Sequence, residues 1–283
     1  MSYLGDQTGV YRAMDKLGPS SVKDIAAESN VNERYLLEWL SSNAGRGYVT
    51  YHEDSDKFSL SPEQAAVFAR ENEPTCIQGL MQGVVGQFVK EDVAIDVFKT
   101  GRGRPWGEHH ECCFCGTERF FRPAYAGHLL DEWIPAMTGV EEKLKMGAKV
   151  ADIGCGLGTS SMLMAEQYPN STIHAFDFHE PSIEEAKKRA EEKGLSNLEF
   201  FVSDAAAIPN ESYDLACIFD AWHDMGDPVG IAKSIKETLA DDGTFMVVEP
   251  MALDGLKNNI DNNPGASMFY GFGTLICLSL IHI

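Results

Sequence analysis

The chain has 283 residues, 44% of them hydrophobic, and a formal net charge of −20. That is enough for two modest domains with real cores, and it excludes a disordered polymer. Acidic residues outnumber basic ones 43 to 23, with no basic run, which argues against nucleic acid and anionic membrane as partners.

The start, MSYLGDQTGVYRAM, has no apolar segment of the secretory type. The seven cysteines show no framework spacing. Both features fit reduced thiols and a cytoplasmic protein.

Residues 1 to about 70 read as a small helical domain with a β-ribbon. SSVKDIAAESN puts Val22, Ile25, Ala26 and Ser29 on one helical face, with Ser21 and Asp24 as a weak capping box. A second helix follows behind Asn32, and YVTYHEDSDKFSLS predicts two short strands around a polar turn. Ser61, Pro62 and Gln64 open the next helix. Helix-turn-helix followed by a hairpin is a winged helix. Such domains often read DNA, but the recognition-helix position carries Glu33, Arg34 and Glu38, which is net acidic. Over 1–70 there are seven basic and ten acidic residues, so packing or dimerisation is the expected role.

Residues 71 to about 145 read as a helical connector. Its middle, GRGRPWGEHHECCFCG, lacks periodicity and is expected to be a loop. The run HHECCFCG raises the question of zinc. Cys112 and Cys115 form one C-x-x-C pair, but no second pair stands elsewhere, so no metal is expected.

From Lys149 strands and helices alternate. KVADIGCG, TIHAFDF, LEFFVSDA, YDLACIFDAWHD and TFMVVEP read as five strands, with helices PSIEEAKKRAEEKG and VGIAKSIKETLA between them. This βαβ repeat predicts an α/β fold, a Rossmann-like doubly wound and mostly parallel sheet over 146–283. The first strand ends in Asp152, Gly154, Gly156, Gly158 and Thr159. Glycines at a strand-to-helix turn let the backbone approach a ligand closely. Asp177, ending the second strand, is placed to reach the ribose hydroxyls of an adenosine cofactor. The spacing is G-x-G-x-G, not the G-x-G-x-x-G of pyrophosphate binders, and Asp152 is poor company for a diphosphate. A carboxylate there suits a cationic ligand with an amino group.

This pattern resembles motif I, DxGxGxG, of the class I S-adenosylmethionine (SAM) methyltransferases. The resemblance implies SAM as cofactor. It places Phe178, Asp204 and Ala205 near the adenosine and Phe219 near the methionine part. The whole chain is similar to small-molecule O-methyltransferases with an N-terminal winged-helix domain, which dimerises and helps to close the substrate pocket. That family carries a His-Asp pair after the fourth strand, matched here by His223 and Asp224, and the resemblance makes His223 the general base. Methyl transfer to a small-molecule acceptor, with possible homodimerisation, is the implied function. A catalytically silent SAM-binding protein and a winged-helix regulator are the alternatives.

Three further expectations remain. Trp106, Phe120, Phe121, Tyr125 and Trp222 are either pocket lining or core. Only 34 residues follow Glu249, too few for the closing antiparallel hairpin, so the family's last strands are expected to be missing. The tract Met268 to Ile283 has no charge and is shorter than a bilayer span, so a core-facing helix is expected.

Overall fold

The computed structural model describes residues 1–278. The first half runs α1 (Ser2–Gln7), α2 (Val10–Leu17), α3 (Val22–Ser29), α4 (Glu33–Ala44), β1 (Thr50–His52), β2 (Lys57–Ser59), α5 (Pro62–Phe68), α6 (Gln78–Val89), α7 (Glu91–Thr100) and α8 (Glu111–Ala124). A π-helical stretch, Tyr125–Trp133, follows, then α9 (Val140–Met146), β3 (Lys149–Ile153), α10 (Thr159–Gln167), β4 (Thr172–Asp177) and α11 (Glu180–Lys193). The remainder is β5 (Leu198–Val202), β6 (Tyr213–Phe219), α12 (Pro228–Thr238), β7 (Leu239–Val248), α13 (Leu256–Asn262) and α14 (Ala266–Leu275). The chain forms two compact units. One comprises Met1–Gly86 with Glu111–Ala124, the other Gln87–His110 with the chain from Tyr125 on.

In the first unit the expected caps are in place. Ser21 accepts from the Asp24 N–H, and Asn32 accepts from Arg34 and Tyr35. Ser61 and Gln64 close a full capping box with Pro62 in the first turn. Such caps each contribute about 1 kcal/mol. β1 and β2 pair antiparallel, Thr50 opposite Ser59, as the wing. Tyr11, Met14, Ile25 and Leu40 are essentially inaccessible, and Tyr11 stacks on Phe68 at 5.0 Å. Each such burial stabilises the unit by about 1.5–3 kcal/mol.

The connector differs from expectation. HHECCFCG is not a loop throughout: a helix begins at Glu111 and carries Cys112, Cys113, Cys115 and Gly116. Its reason is tertiary. A Cβ on Gly116 would lie 2.4 Å from the Gly83 N, and one on Gly79 would lie 2.3 Å from the Phe120 N. The backbones of α6 and α8 therefore touch through glycines, a contact that neither segment's periodicity reveals. Arg119 on the same helix bonds Asp6, Glu71 and Gln82 and ties α8 to α1 and α6.

The second unit is built on a five-stranded parallel sheet in the order β5-β4-β3-β6-β7. Alternation along β3 fixes its two faces. Val150 joins a core with Met164, Ile173, Ala186 and Leu215, while Ala151 and Ile153 join Phe176, Ile218 and Ile235 on the other. α10 and α11 cover the first face and α12 the second. β7 starts at Leu239, earlier than the expected strand, with a register irregularity opposite Tyr213 and Leu215.

The apolar tract also departs from expectation. α14 is helical, but only Ala266 along it is buried and Tyr270 is 49% exposed. Apolar residues at nearly every position point all round a helix, so one face cannot bury them. The last part of this tract lies outside the described residues. No helix among the described residues is long and apolar enough to cross a membrane.

Candidate active site

The chain leaves β3 toward β4 on one side and returns on the other as β6, so the sheet order reverses beside β3. At such a switch point the loops after neighbouring strands diverge and open a crevice. The glycine loop fills this position. Gly154, Gly156 and Gly158 all have positive φ, 73°, 53° and 76°. At Gly158 a Cβ would meet the Phe200 ring at 2.7 Å, so this glycine is required by space as well as by angle. Thr159 then opens α10.

Carboxylates hold the loop from beneath. Asp177 Oδ2 accepts the Gly156 N–H at 2.9 Å, and its Oδ1 accepts the His179 N–H at 2.8 Å. Burial raises the Asp177 pKa, and these two N–H donors oppose the rise. Asp152 is placed otherwise than the cationic-ligand reading supposed. Its side chain is fully buried, and Oδ2 accepts from the Ser160 and Ser161 hydroxyls at 2.6 and 2.5 Å. It ties β3 to the first turn of α10. Burial pushes its pKa up to about 6 against those two hydrogen bonds. Phe178 is 60% exposed beyond β4, and Asp204 is exposed beyond β5, where it caps the turn Ala205–Ala207 through the Ala206 N–H.

Beyond β6 the arrangement changes. Phe219 packs on Tyr125 at 5.4 Å. Asp220 follows at φ +52°, a left-handed conformation that Asp tolerates better than most residues. A turn, Trp222–Asp224, then presents His223. Glu249, at the end of β7, braces that turn twice. Its Oε1 accepts the Trp222 N–H at 2.7 Å, and its Oε2 bonds His223 Nδ1. The other ring nitrogen, Nε2, lies 3.4 Å from Asp224 Oδ1 and 3.5 Å from Cys277 Sγ. Burial alone would lower the His223 pKa. Hydrogen bonds with Cys277 and Glu249, and the charges of Asp224 and Glu249, outweigh it and push the pKa up to about 11. Burial also raises the carboxyls of Asp220 and Asp224, against the attraction of His223.

The residues singled out by sequence thus sit along the carboxyl ends of four adjacent strands. Glu249 and Cys277 were not anticipated as site residues. Glu249 carried a usable signal, because it ends the fifth strand as Asp177 ends the second. Cys277 carried none, being 54 positions from His223. Of the five aromatics, Tyr125 and Trp222 pack on the sheet's two cores. Within HHECCFCG, His109 is buried, its pKa lowered to about 4 by burial and by Arg104.

Residues 144–276 match the methyltransferase domain family, and residues 1–70 match the Rv2258c-like winged HTH domain. The chain carries a class I methyltransferase domain behind a winged helix. Domains of this class are enzymes that bind SAM. Among curated relatives, ubiquinone biosynthesis O-methyltransferase of Actinobacillus pleuropneumoniae is 35% identical over 105 residues, 35% of this chain and 44% of that protein. Sterol 24-C-methyltransferase erg6 of Aspergillus fumigatus is 28% identical over 172 residues, 59% of this chain and 42% of that protein. The chain spans less than half the length of these relatives. Solved structures extend the likeness over both units. Human N-acetylserotonin methyltransferase in complex with SAM aligns with a TM-score of 0.66 at 15% identity, over 98% of this chain and 81% of that one. An O-methyltransferase family protein from Burkholderia thailandensis aligns at 0.69 and 13%, over 98% and 82%. At such identities the structures show the shared fold.

The methyltransferase domain's crevice fits SAM on its own geometry. Gly154 and Gly158 leave no room for side chains, so backbone forms the floor, and Asp177 stands at the end of the next strand.

Proposed function

We propose that this protein methylates a hydroxyl of a small-molecule acceptor, with His223 as general base and Glu249 positioning it. The observation that supports this most is the pairing of His223 Nδ1 with Glu249, which leaves Nε2 for an acceptor. A hydroxyl needs its proton removed to become a competent nucleophile, and a carboxylate on one imidazole nitrogen orients the other for that work. When bound, SAM supplies an electrophilic methyl group. Gly154, Gly156, Gly158, Thr159 and Asp177 would hold it, with Phe178, Asp204, Ala205 and Phe219 along its length. In-line displacement depends on alignment, which a loop pinned by Asp177 favours. Here Cys277 Sγ stands against Nε2 and, with the carboxylates, holds the imidazole protonated, so an acceptor must displace Cys277 and the ring must give up that proton before His223 can serve as base.

Labelled SAM incubated with the protein and a metabolite extract tests the reading. Label should enter an extractable small molecule. If SAM binds but no label moves to any acceptor, the protein is a silent SAM binder and the reading fails.

For the winged-helix unit we propose dimerisation. Arg34, the one base on α4, is paired with Glu38 at 2.5 Å rather than offered to a phosphate. Sedimentation should show a dimer; salt-dependent DNA binding would overturn this assignment.

A further inference from the structure

The sequence raised zinc at HHECCFCG. Among the described residues, the groups of metal-donor atoms that converge lie elsewhere: His223 with Asp224 and Cys277, and His223 with Asp220 and Glu249. We propose that His223 Nε2, Asp224 Oδ1 and Cys277 Sγ form a zinc site that switches the transferase off. The inhibitory part rests on His223 being the base; the site itself does not.

Distances carry the argument. Zn–S of about 2.3 Å and Zn–N of about 2.0 Å at a tetrahedral angle place sulfur and nitrogen about 3.5 Å apart, and nitrogen and oxygen about 3.3 Å apart. Here His223 Nε2 lies 3.5 Å from Cys277 Sγ and 3.4 Å from Asp224 Oδ1. All three donor atoms lie within 4.8 Å of one another. Asp224 Oδ1 is buried and accepts no aligned hydrogen bond, although Nε2 is at ion-pair distance. The chemistry of the set, one thiolate, one imidazole and one carboxylate, selects zinc over magnesium or calcium.

The surroundings complete the pattern. A zinc-bound imidazole usually gives its other nitrogen to a carboxylate, which fixes the tautomer and ring orientation. Glu249 does this at His223 Nδ1. His223 is 36% exposed, so an ion can reach it from solvent. Three protein ligands leave a fourth position for water. An ion on Nε2 occupies the lone pair that would take the acceptor's proton, so the zinc form is inactive.

The full chain, stripped with a chelator, is titrated with zinc against a chromophoric competitor, and separately with cobalt. One equivalent should bind, and the cobalt form should show thiolate-to-metal charge transfer. Cys277→Ser should abolish that band, and both Cys277→Ser and Asp224→Asn should weaken zinc by about 10-fold or more, while Cys115→Ser should not. Retained SAM binding shows that each variant is folded. No zinc bound at micromolar concentration, or binding lost in Cys115→Ser and kept in Cys277→Ser, overturns the site. In turnover assays zinc should inhibit the wild type at the concentrations that fill the site, and Cys277→Ser should resist. Undiminished or increased turnover with zinc bound overturns the switch. Undiminished turnover of His223→Ala without zinc instead defeats the base assignment, while the cobalt signal still decides the site.

Discussion

The two sides of the crevice use carboxylates in opposite ways. On the glycine-loop side, Asp152 and Asp177 are each answered by two hydrogen-bond donors, Ser160 with Ser161 and Gly156 with His179. On the other side, Asp220, Asp224 and Glu249 crowd around one imidazole and one thiol, brought from three segments. Carboxylates that each bond two donors hold a backbone shape, whereas acids crowded round one imidazole are poised to give or take charge. On the proposed function, one side binds the cofactor and the other carries the reaction.

Exchange of single residues should expose that division, and the largest effect belongs to the reactive side. His223→Ala should lower turnover by about 100-fold to 10,000-fold while SAM affinity survives. Asp177→Ala should do the reverse, weakening SAM first through loss of the Gly156 anchor. Calorimetry beside a turnover assay reads both, and equal losses of binding in the two variants would erase the distinction.

Next in size is the first unit, which has a crowded charge network of purely structural kind. Arg119, 16% exposed, joins Asp6 and Glu71. Arg119→Ala leaves Asp6 with Arg12 and Glu71 with Arg122 but removes the cation that joins the two buried pairs, and should cost about 2–3 kcal/mol in urea unfolding. A loss below about 0.5 kcal/mol would mean that solvent already screens the network.

Asp152 offers a pH test of the binding side. Its folded pKa is raised from 3.8 to about 6 by burial, against the Ser160 and Ser161 hydrogen bonds. A raised folded pKa means that the native state holds the proton more tightly. Its contribution is therefore fully present below about pH 4, falls as pH rises through about 6, and is flat above. Wild-type stability should drop across that window relative to Asp152→Asn, by about 2–3 kcal/mol. Parallel pH profiles for the two proteins would show that the carboxyl titrates normally.

The smallest expected change is Gly158→Ala. Positive φ and the Phe200 ring at 2.7 Å from the new Cβ should cost about 1–2 kcal/mol and loosen SAM binding together. Unchanged stability would mean that the loop relaxes freely.

The sheet and its glycine loop were legible because their signals are local. Apolar strands, the spacing of Gly154, Gly156 and Gly158, and the caps at Ser21, Asn32 and Ser61 each act within a few residues. HHECCFCG misled for the opposite reason. Read along the chain it lacks periodicity and looks like a loop, yet α8 presses Gly116 against Gly83 and takes the segment into a helix packing. Asp152 misled in a subtler way: its position was right, but burial turned it inward to two serines.

Sequence alone thus determined the parallel α/β sheet, the winged helix and the glycine turn after the first strand, because backbone conformation and periodicity are written in neighbouring residues. Tertiary structure decided which donors meet. Glu249 and Cys277 reach His223 from 26 and 54 positions away. Distances of that kind are set by the packing of β7 and of the segment after α14, and no local pattern encodes them.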